Sequence, residues 1–238
     1  MCEHYVARAA EPFHLVDLWP FTERLERFGI AGFGWGAAWV EPGGRLGSYR
    51  DVRAFRDDES GRRIVGDVIS SAVLVHLRRP SKLSTLGPAD TQPFDDPAGR
   101  FAFSHNGDLR DVHEWRRGYQ AAGRICGRAD TEVGQRWLED EWGTATSAAL
   151  LARLHETMGG QANLAALEAS GAAVAYAGNT ENPVFTFRLG RIAVAATGIY
   201  SLDRSLFRYV APEATERRLV RVGRAVTLDR NGDVAAAS

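Results

Sequence analysis

A cysteine stands at position 2, directly after the initiator methionine. A residue of this size allows an aminopeptidase to remove Met1, and Cys2 would then be the N-terminal residue. It would carry a thiol nucleophile and a free α-amine together. Because the unperturbed pKa of an α-amine is about 7.7–8.0 and that of a thiol is about 8.5, the amine can accept the thiol proton near neutral pH. The alternative is that Cys2 is a buried or incidental cysteine.

An Asn-Gly pair, Asn106-Gly107, follows the alternating apolar segment 101–103. Asn-Gly after a strand is a strong signal for a hairpin turn, and Asn231-Gly232 is interpreted as a plain turn of that kind. The functional alternative is an oxyanion hole, because an Asn side-chain amide and a Gly backbone N–H can both donate to a developing alkoxide. The residues alone leave both interpretations open.

Two further segments carry charges that could recognise the ends of a small molecule. Arg78 and Arg79 follow a predicted buried strand, so their side chains should face opposite ways. One of them could bind a carboxylate through its fork of donors, and the alternative is a pair of solvated arginines. Asp130 stands at the start of a predicted helix, where it could bind an ammonium group or act as the N-cap.

Short strands and a few helices must position these residues. Apolar and alternating runs predict a first group of strands over 2–9, 34–40, 46–49, 72–76 and 101–105. Helical periodicity predicts helices over 131–142, 147–158 and 163–169. A second group of strands is predicted over 172–177, 184–189, 191–196, 217–222 and 225–229. Strands, then helices, then strands predict an α+β layering of two sheets with segregated helices.

The composition limits the class of protein. The chain has 238 residues, of which 45% are hydrophobic and 25% are charged, as in an ordinary globular protein. Its 29 basic and 30 acidic residues give a formal net charge of -1, which is not typical of a nucleic-acid or anionic-membrane binder. No apolar run approaches the ~18 residues that a membrane-spanning helix needs.

The cysteines, histidines and first residues narrow the class further. Two cysteines, Cys2 and Cys126, are too few for a disulfide framework. No Cys-x-x-Cys, His-x-His or His-x-x-x-His spacing occurs, so a structural zinc site is not expected. Charged residues within the first eleven positions would interrupt the apolar part of a signal peptide. The sequence therefore predicts a cytoplasmic protein with reduced thiols.

In their order along the chain, these motifs resemble those of the class II glutamine amidotransferases, which are N-terminal-nucleophile hydrolases. The resemblance rests on five segments: Met1-Cys2, Gly34-Trp35-Gly36, His76-x-Arg78, His105-Asn106-Gly107 and Asp130-Thr131-Glu132. It is closest to the stand-alone, single-domain members, a group that includes the γ-glutamyl hydrolase of ergothioneine biosynthesis.

The resemblance implies one glutamine amidotransferase domain over residues 1–238, with a four-layer αββα sandwich fold. It implies that Cys2 is the nucleophile, that its own α-amine is the general base, and that Asn106 and Gly107 form the oxyanion hole. Arg78 would bind the α-carboxylate of glutamine, and Asp130 would bind its α-ammonium group. The implied reaction is hydrolysis of glutamine or another γ-glutamyl amide through a glutamyl thioester, without a metal or an organic cofactor.

Three segments depart from the family pattern. Arg78 is followed by Arg79-Pro80-Ser81-Lys82-Leu83, where the family often has a small residue, a Thr and a Gly-containing turn. Asp90-Thr91-Gln92-Pro93-Phe94 stands where many members have Asn-Thr-His-Pro-Phe, and Phe33 stands where many have Asp. Ser81 could replace the Thr hydroxyl. These changes put the identity of the substrate in question more than the thiol chemistry.

The resemblance leaves the acceptor open. We expect no room for a synthetase domain beside a glutaminase domain in 238 residues. Water is then the final acceptor, or a separate synthase subunit receives ammonia, or the substrate is a γ-glutamyl conjugate other than glutamine. The rival hypothesis is a non-catalytic ligand-binding protein or partner subunit that keeps the fold, which would follow if Met1 is retained. Whether the chain forms a homodimer is also left open.

Overall fold

Two antiparallel sheets stacked face to face make up the centre of the computed structural model, which describes residues 2–80, 83–199, 204–229, 231 and 233–236. Met1, Ser81 and Gly232, which the sequence analysis singles out, lie outside these residues.

The first sheet holds the strand that begins directly after Cys2. Its strands within the described residues are β1 (Glu3–His14), β2 (Trp35–Glu41), β3 (Arg45–Asp51), β4 (Ile69–Leu77), β9 (Val184–Leu189), β10 (Ile192–Thr197) and β11 (Thr215–Leu219). They are arranged in the order β11-β9-β10-β1-β4-β2-β3. The register of β1 against β4 places Glu3 opposite Leu77, and it therefore brings Cys2 to the end of β4, where Arg78 begins the next segment.

The second sheet holds the Asn-Gly pair. Its strands within the described residues are β5 (Phe94–Asp95), β6 (Phe101–Asp108), β7 (Gln161–Glu168), β8 (Ala173–Ala177), β12 (Arg224–Leu228) and β13 (Val234–Ala236). They are arranged in the order β13-β12-β8-β7-β6-β5. Each of the two sheets therefore takes strands from both predicted groups.

Helices cover the outer face of each sheet. The helices of the described residues are α1 (Trp19–Gly29), α2 (Glu59–Gly66), α3 (His113–Ala121), α4 (Asp130–Glu141), α5 (Ser147–Met158) and α6 (Phe207–Val210). Residues of α1, α2 and α6 share a buried apolar core with the first sheet, and residues of α3, α4 and α5 share another with the second. This arrangement confirms the predicted α+β class and its four layers. None of these helices has the length and apolar composition needed to cross a membrane.

The space between the sheets is filled largely by small side chains. Alanines from both sheets, among them Ala38, Ala72, Ala102, Ala165 and Ala175, contribute to this buried cluster. Small side chains allow the two sheets to pack closely, and close packing transmits the position of one strand to its neighbours.

One end of this interface is polar, and it aligns β1 with β6. The Ser104 hydroxyl oxygen lies 3.0 Å from His4 Nδ1 and 2.8 Å from His76 Nδ1. Burial lowers the pKa of both imidazoles, that of His4 to about 3 with a further contribution from His105, so both are neutral near pH 7. Ser104 has one proton to donate, so one imidazole accepts it and the other donates to the hydroxyl oxygen.

The structure corrects one predicted element. Residues 163–169 do not form a helix, because they lie in the strand β7. This Ala- and Leu-rich run has high helix propensity, but β7 pairs with β6 on one side and with β8 on the other, and its central residues are buried. A continuous apolar run with both faces buried is equally typical of a central strand, and here the tertiary context decides.

Candidate active site

Cys2 lies at the start of β1, beside the end of β4. The Arg79 backbone N–H donates to Cys2 Sγ at 3.3 Å, and Sγ lies 3.7 Å from the Arg79 carbonyl oxygen. Burial raises the pKa of the thiol, and the hydrogen bond from Arg79 and the charge of Arg78 offset only part of that rise. The thiol therefore needs a nearby base to become a thiolate near neutral pH.

A cavity of about 420 Å³ opens beside this thiol. Its lining includes Cys2, Arg78, Gly107 and Asp130, which come from four separate parts of the chain. The cavity therefore brings together a thiol, a guanidinium and a carboxylate.

Arg78 is almost fully buried, at 4% exposure. Its guanidinium donates to Thr91 Oγ1 at 3.2 Å and to the backbone carbonyl oxygens of Thr85 and Gly87. Within the described residues these acceptors are all uncharged. Burial lowers the pKa of Arg78, partly offset by the charges of Cys2 and Asp90. A buried guanidinium with uncharged partners is a favourable place for an anion such as a carboxylate.

The Gly34-Trp35-Gly36 segment holds the backbone of Arg78. The Arg78 N–H donates to the Gly34 carbonyl oxygen at 2.9 Å, and the Phe33 N–H donates to the Arg78 carbonyl oxygen at 3.1 Å. A Cβ atom at Gly36 would collide with the Gln92 carbonyl oxygen, so only glycine lets β2 pass this close to the segment that follows Thr91.

Asp130 is held with its carboxylate facing the cavity. It is the first residue of α4, and Ala129 is the N-cap, so the N-cap interpretation of Asp130 is wrong. Asp130 Oδ2 accepts from the Leu109 N–H at 2.7 Å, and Oδ1 accepts from the Thr131 N–H at 3.0 Å. The side chain remains 29% exposed, which leaves room for an ammonium group.

Asn106 and Gly107 lie within the strand β6 and do not form a hairpin turn. Asn106 is fully buried, and neither Oδ1 nor Nδ2 of its amide has a hydrogen-bond partner among the described residues. A buried amide without partners costs about 1–3 kcal/mol per group, so the arrangement favours a ligand that supplies the missing hydrogen bond. Gly107 has a φ of 132°, and a Cβ atom there would collide with the Gln161 carbonyl oxygen.

The contact between His4 and Ser104 brings β1 and β6 together between the sheets. Ser104 precedes Asn106 by two residues in β6, so the two side chains share one face of that strand. Among the described residues, the cavity lining includes His105 and Gly107 but not Asn106 itself.

Two carboxylates with no role in the sequence analysis shape the wall in front of Asp130. Asp90 Oδ1 accepts from the backbone N–H groups of Arg128 and Ala129, both at 2.7 Å. Glu132 accepts from the N–H groups of residues 126 and 127 at 2.8 and 2.7 Å. Glu132 stands in a recognised motif, but nothing in the local sequence indicates that Asp90 reaches a loop almost 40 residues further along.

Gln92 links the same wall to β6. Its Oε1 accepts from the His105 N–H at 2.7 Å, and its Nε2 donates to Thr131 Oγ1 at 3.2 Å. The same hydroxyl oxygen lies 3.0 Å from His105 Nδ1. Gln92 therefore joins β6 to the start of α4.

Several solved structures are similar to the chain over nearly its full length. The glutamine phosphoribosylpyrophosphate amidotransferase from B. subtilis has a TM-score of 0.74 and 16% identity, over 99% of this chain and 49% of that one. A glutamine aminotransferase class-II domain protein from Silicibacter pomeroyi has a TM-score of 0.64 and 19% identity, over 98% of both chains. A predicted glutamine amidotransferase from Pseudomonas aeruginosa has a TM-score of 0.56 and 16% identity, over 99% of this chain and 100% of that one.

These similarities establish the fold. The two sheets and their helices match the N-terminal-nucleophile hydrolase fold of the glutamine domain of the B. subtilis protein, and the chain spans about half the length of that protein. No family model matches the sequence, and a search of curated proteins finds no match.

Proposed function

We propose that the chain is an amidohydrolase that cleaves glutamine or another γ-glutamyl amide, with residues 1–238 as one domain and Cys2 as the nucleophile once Met1 is removed. The observation that carries the proposal is the cavity that joins the Cys2 thiol to the guanidinium of Arg78 and the carboxylate of Asp130. Two solved structures of similar fold, from B. subtilis and Pseudomonas aeruginosa, carry the name glutamine amidotransferase, which supports it.

Substrate recognition follows from the two charges. A γ-glutamyl compound ends in a free α-carboxylate and a free α-ammonium group at a fixed separation. The buried guanidinium of Arg78 binds the carboxylate, and the carboxylate of Asp130 binds the ammonium group. With both ends held, the side-chain carbonyl of the substrate is directed toward Cys2. A compound without the α-carboxylate leaves the buried guanidinium of Arg78 without a charged partner, and one without the α-ammonium group loses the ion pair with Asp130, so both are rejected.

The first half of the reaction forms a thioester. The α-amine of Cys2 accepts the thiol proton, and the sulfur attacks the amide carbonyl carbon to give a tetrahedral oxyanion. Asn106 Nδ2 and the Gly107 N–H donate to that oxyanion. The carbon–nitrogen bond then breaks, and the ammonium group formed on Cys2 returns its proton to the leaving nitrogen.

The second half consumes water. The same α-amine takes a proton from a water molecule, which attacks the thioester carbonyl. The carbon–sulfur bond breaks and the thiol is restored. The products are glutamate and either ammonia or an amine, and every step uses groups of this chain.

Three versions of this function differ in what becomes of the nitrogen released from the substrate amide. Water is the final acceptor in a simple hydrolase, a synthase subunit receives the ammonia in a two-protein system, and the amine is released in a hydrolase of γ-glutamyl conjugates, as in ergothioneine biosynthesis. A large increase in glutamine turnover on adding a candidate partner, with gel filtration showing a complex, supports the second version.

A diazoketone analogue of glutamine tests the nucleophile directly. We expect it to alkylate the Cys2 sulfur in protein that lacks Met1, since the α-carboxylate and α-ammonium groups of the analogue direct it into the cavity. Cys126 is an exposed thiol in the same chain and is the internal control. Peptide mapping by mass spectrometry locates the label.

Three results would contradict the proposal. Equal labelling of both cysteines shows reaction with any accessible thiol, and labelling that glutamine does not slow shows that no glutamine site is involved. A protein from its native cell that retains Met1 has no free amine on Cys2, which supports the rival hypothesis of a non-catalytic binding protein.

Asp90→Ala tests the wall that positions Asp130. The change removes the carboxylate that accepts two hydrogen bonds from the backbone N–H groups of residues 128 and 129. We expect KM for glutamine to rise about 10-fold while kcat changes by less than about threefold, because binding of the ammonium end is weakened and the thiol is untouched. Asp17→Ala, an exposed residue next to α1, is the matched control. An unchanged KM in Asp90→Ala would show that Asp130 does not depend on this loop.

A further inference from the structure

The cavity has more positive charge than an amino acid requires. Among the described residues, its lining includes five arginines and three aspartates: Arg78, Arg79, Arg110, Arg116, Arg128, Asp90, Asp108 and Asp130. Arg78 and Asp130 are matched to the two charges of the γ-glutamyl group under the proposed function. The remaining charges therefore concern the other side of the scissile bond or the walls of the cavity.

Two of the remaining arginines already have partners. Arg110 Nε lies 3.4 Å from Asp108 Oδ2 in an exposed ion pair. The guanidinium of Arg116 donates to the carbonyl oxygens of residues 127, 128 and 129, and it therefore stabilises the loop in front of α4. Neither group is free to bind a ligand without losing an existing contact.

Arg79 differs from both of them. Its guanidinium makes no hydrogen bond or ion pair with any described residue, although its backbone N–H donates to Cys2 Sγ at 3.3 Å. It is half-buried, and of the cavity arginines it is the one whose backbone contacts the nucleophile. The side chain of Arg128 also has no hydrogen bond or ion pair within the described part of the chain, but Arg128 lies two residues before Asp130, at the end that takes the α-ammonium group.

The size of the cavity agrees with a ligand that extends beyond the γ-glutamyl group. The cavity volume of about 420 Å³ falls within the roughly 300–1,000 Å³ typical of pockets that hold drug-sized ligands. Space and charge therefore remain beside the thiol after the γ-glutamyl group is bound.

We propose that Arg79 selects γ-glutamyl amides whose amine portion carries an acidic group, such as γ-glutamyl amino acids. This inference rests on the proposed function. The amine portion leaves from the carbon that Sγ attacks, and Arg79 lines the same cavity with its backbone nitrogen 3.3 Å from that sulfur. A carboxylate a few bonds beyond the scissile nitrogen accepts charge-assisted hydrogen bonds from the guanidinium of Arg79. The reaction then consumes one water and releases glutamate and an amine that keeps its acidic group.

A matched pair of substrates isolates the acidic group. γ-Glutamylglycine and γ-glutamylglycinamide have nearly the same size, and only the first has a negative charge on the amine portion. We expect kcat/KM of the parent protein without Met1 to be about 10- to 100-fold higher for the acid than for the amide. The preference should fall as salt is added, because the guanidinium is half-exposed and its attraction is screened.

Variants assign the preference to one residue. In Arg79→Gln the ratio of the two kcat/KM values should fall to about 1, and Arg79→Lys should keep part of it. Arg110→Gln also removes a positive charge from the cavity, but from an arginine that is paired with Asp108, and it should leave the ratio unchanged. If Arg79→Gln does not fold, as judged by its melting temperature, Arg79→Lys and the salt dependence decide.

The outcomes separate this inference from the function on which it rests. A ratio near 1 in the parent, together with good hydrolysis of glutamine, overturns the role of Arg79 and keeps the amidohydrolase. A ratio that survives in Arg79→Gln also overturns it. No hydrolysis of glutamine or of either glycine conjugate by protein without Met1 overturns the function and the inference together.

Discussion

Replacing Cys2 with alanine should lower hydrolysis of glutamine by roughly 10⁴- to 10⁶-fold, as removal of a covalent nucleophile does in other hydrolases. No other described thiol lines the cavity. The variant keeps the free α-amine, Arg78 and Asp130, so the substrate still binds while no thioester forms. Release of glutamate and ammonia measures the loss, and calorimetric titration with glutamine measures the binding that remains.

The control for this variant is the second cysteine of the chain. Cys126 is exposed and lies in the loop that Glu132 holds, and Cys126→Ala keeps the backbone N–H that Glu132 uses. It should retain the activity of the parent within about twofold. Comparable activity in Cys2→Ala and the parent, with unchanged melting temperatures, would remove the thiol from the mechanism.

The layering of the fold was predictable from the sequence, but its strand order was not. The strands β1, β4 and β6 have alternating or continuous apolar residues, and this local pattern predicts a strand whichever neighbour it pairs with. Which strand lies next to which depends on contacts far apart in sequence, such as β1 with β10. This is why each sheet combines strands of both predicted groups.

Two elements that the sequence analysis did not predict, the helix α1 and the strand β7, differ in how clearly the local sequence indicates them. Phe21, Leu25 and Gly29 are buried at a spacing of four in α1, which is a helical pattern that the sequence displays. The strand β7 gives no such help, because a run of alanine and leucine suits both a helix and a buried strand. Its partners β6 and β8 decide the outcome, and they are not part of the local sequence.

The sequence motifs singled out Cys2, Arg78, Gly107 and Asp130 by residue type, and these four residues line one cavity. Their roles in the site stay a prediction. The hairpin interpretation of Asn106-Gly107 was wrong because the pair stays in register with β7. The supporting role of Asp90 was not predictable, since a carboxylate that accepts from distant backbone N–H groups has no sequence spacing of its own.

Replacement of Asn106 should have the second large effect on activity, and replacement of Asn163, its partner in the register of β6 with β7, is the control. We expect Asn106→Ala to lower kcat by about 100- to 1,000-fold with little change in KM, because the amide donates to an oxyanion that exists only after the sulfur attacks. The variant should not be less stable through a lost hydrogen bond, since the amide has no partner among the described residues, and removal of these buried unpaired groups offsets the cost of the cavity that alanine leaves.

Asn163 lies directly opposite Asn106 in β7 and is equally buried, but both the oxygen and the nitrogen of its amide are hydrogen-bonded. Its Nδ2 donates to the Asn182 carbonyl oxygen at 2.7 Å, and its Oδ1 accepts from the N–H groups of residues 178 and 179 at 3.1 Å. Asn163→Ala should therefore cost about 1–3 kcal/mol of unfolding free energy for each group left unpaired. The two variants should therefore differ in what they change: Asn106→Ala lowers kcat, and Asn163→Ala lowers the free energy of unfolding measured by urea denaturation. If Asn106→Ala unfolds as easily as Asn163→Ala and keeps its kcat, the amide of Asn106 is structural, and the oxyanion must be stabilised by other donors.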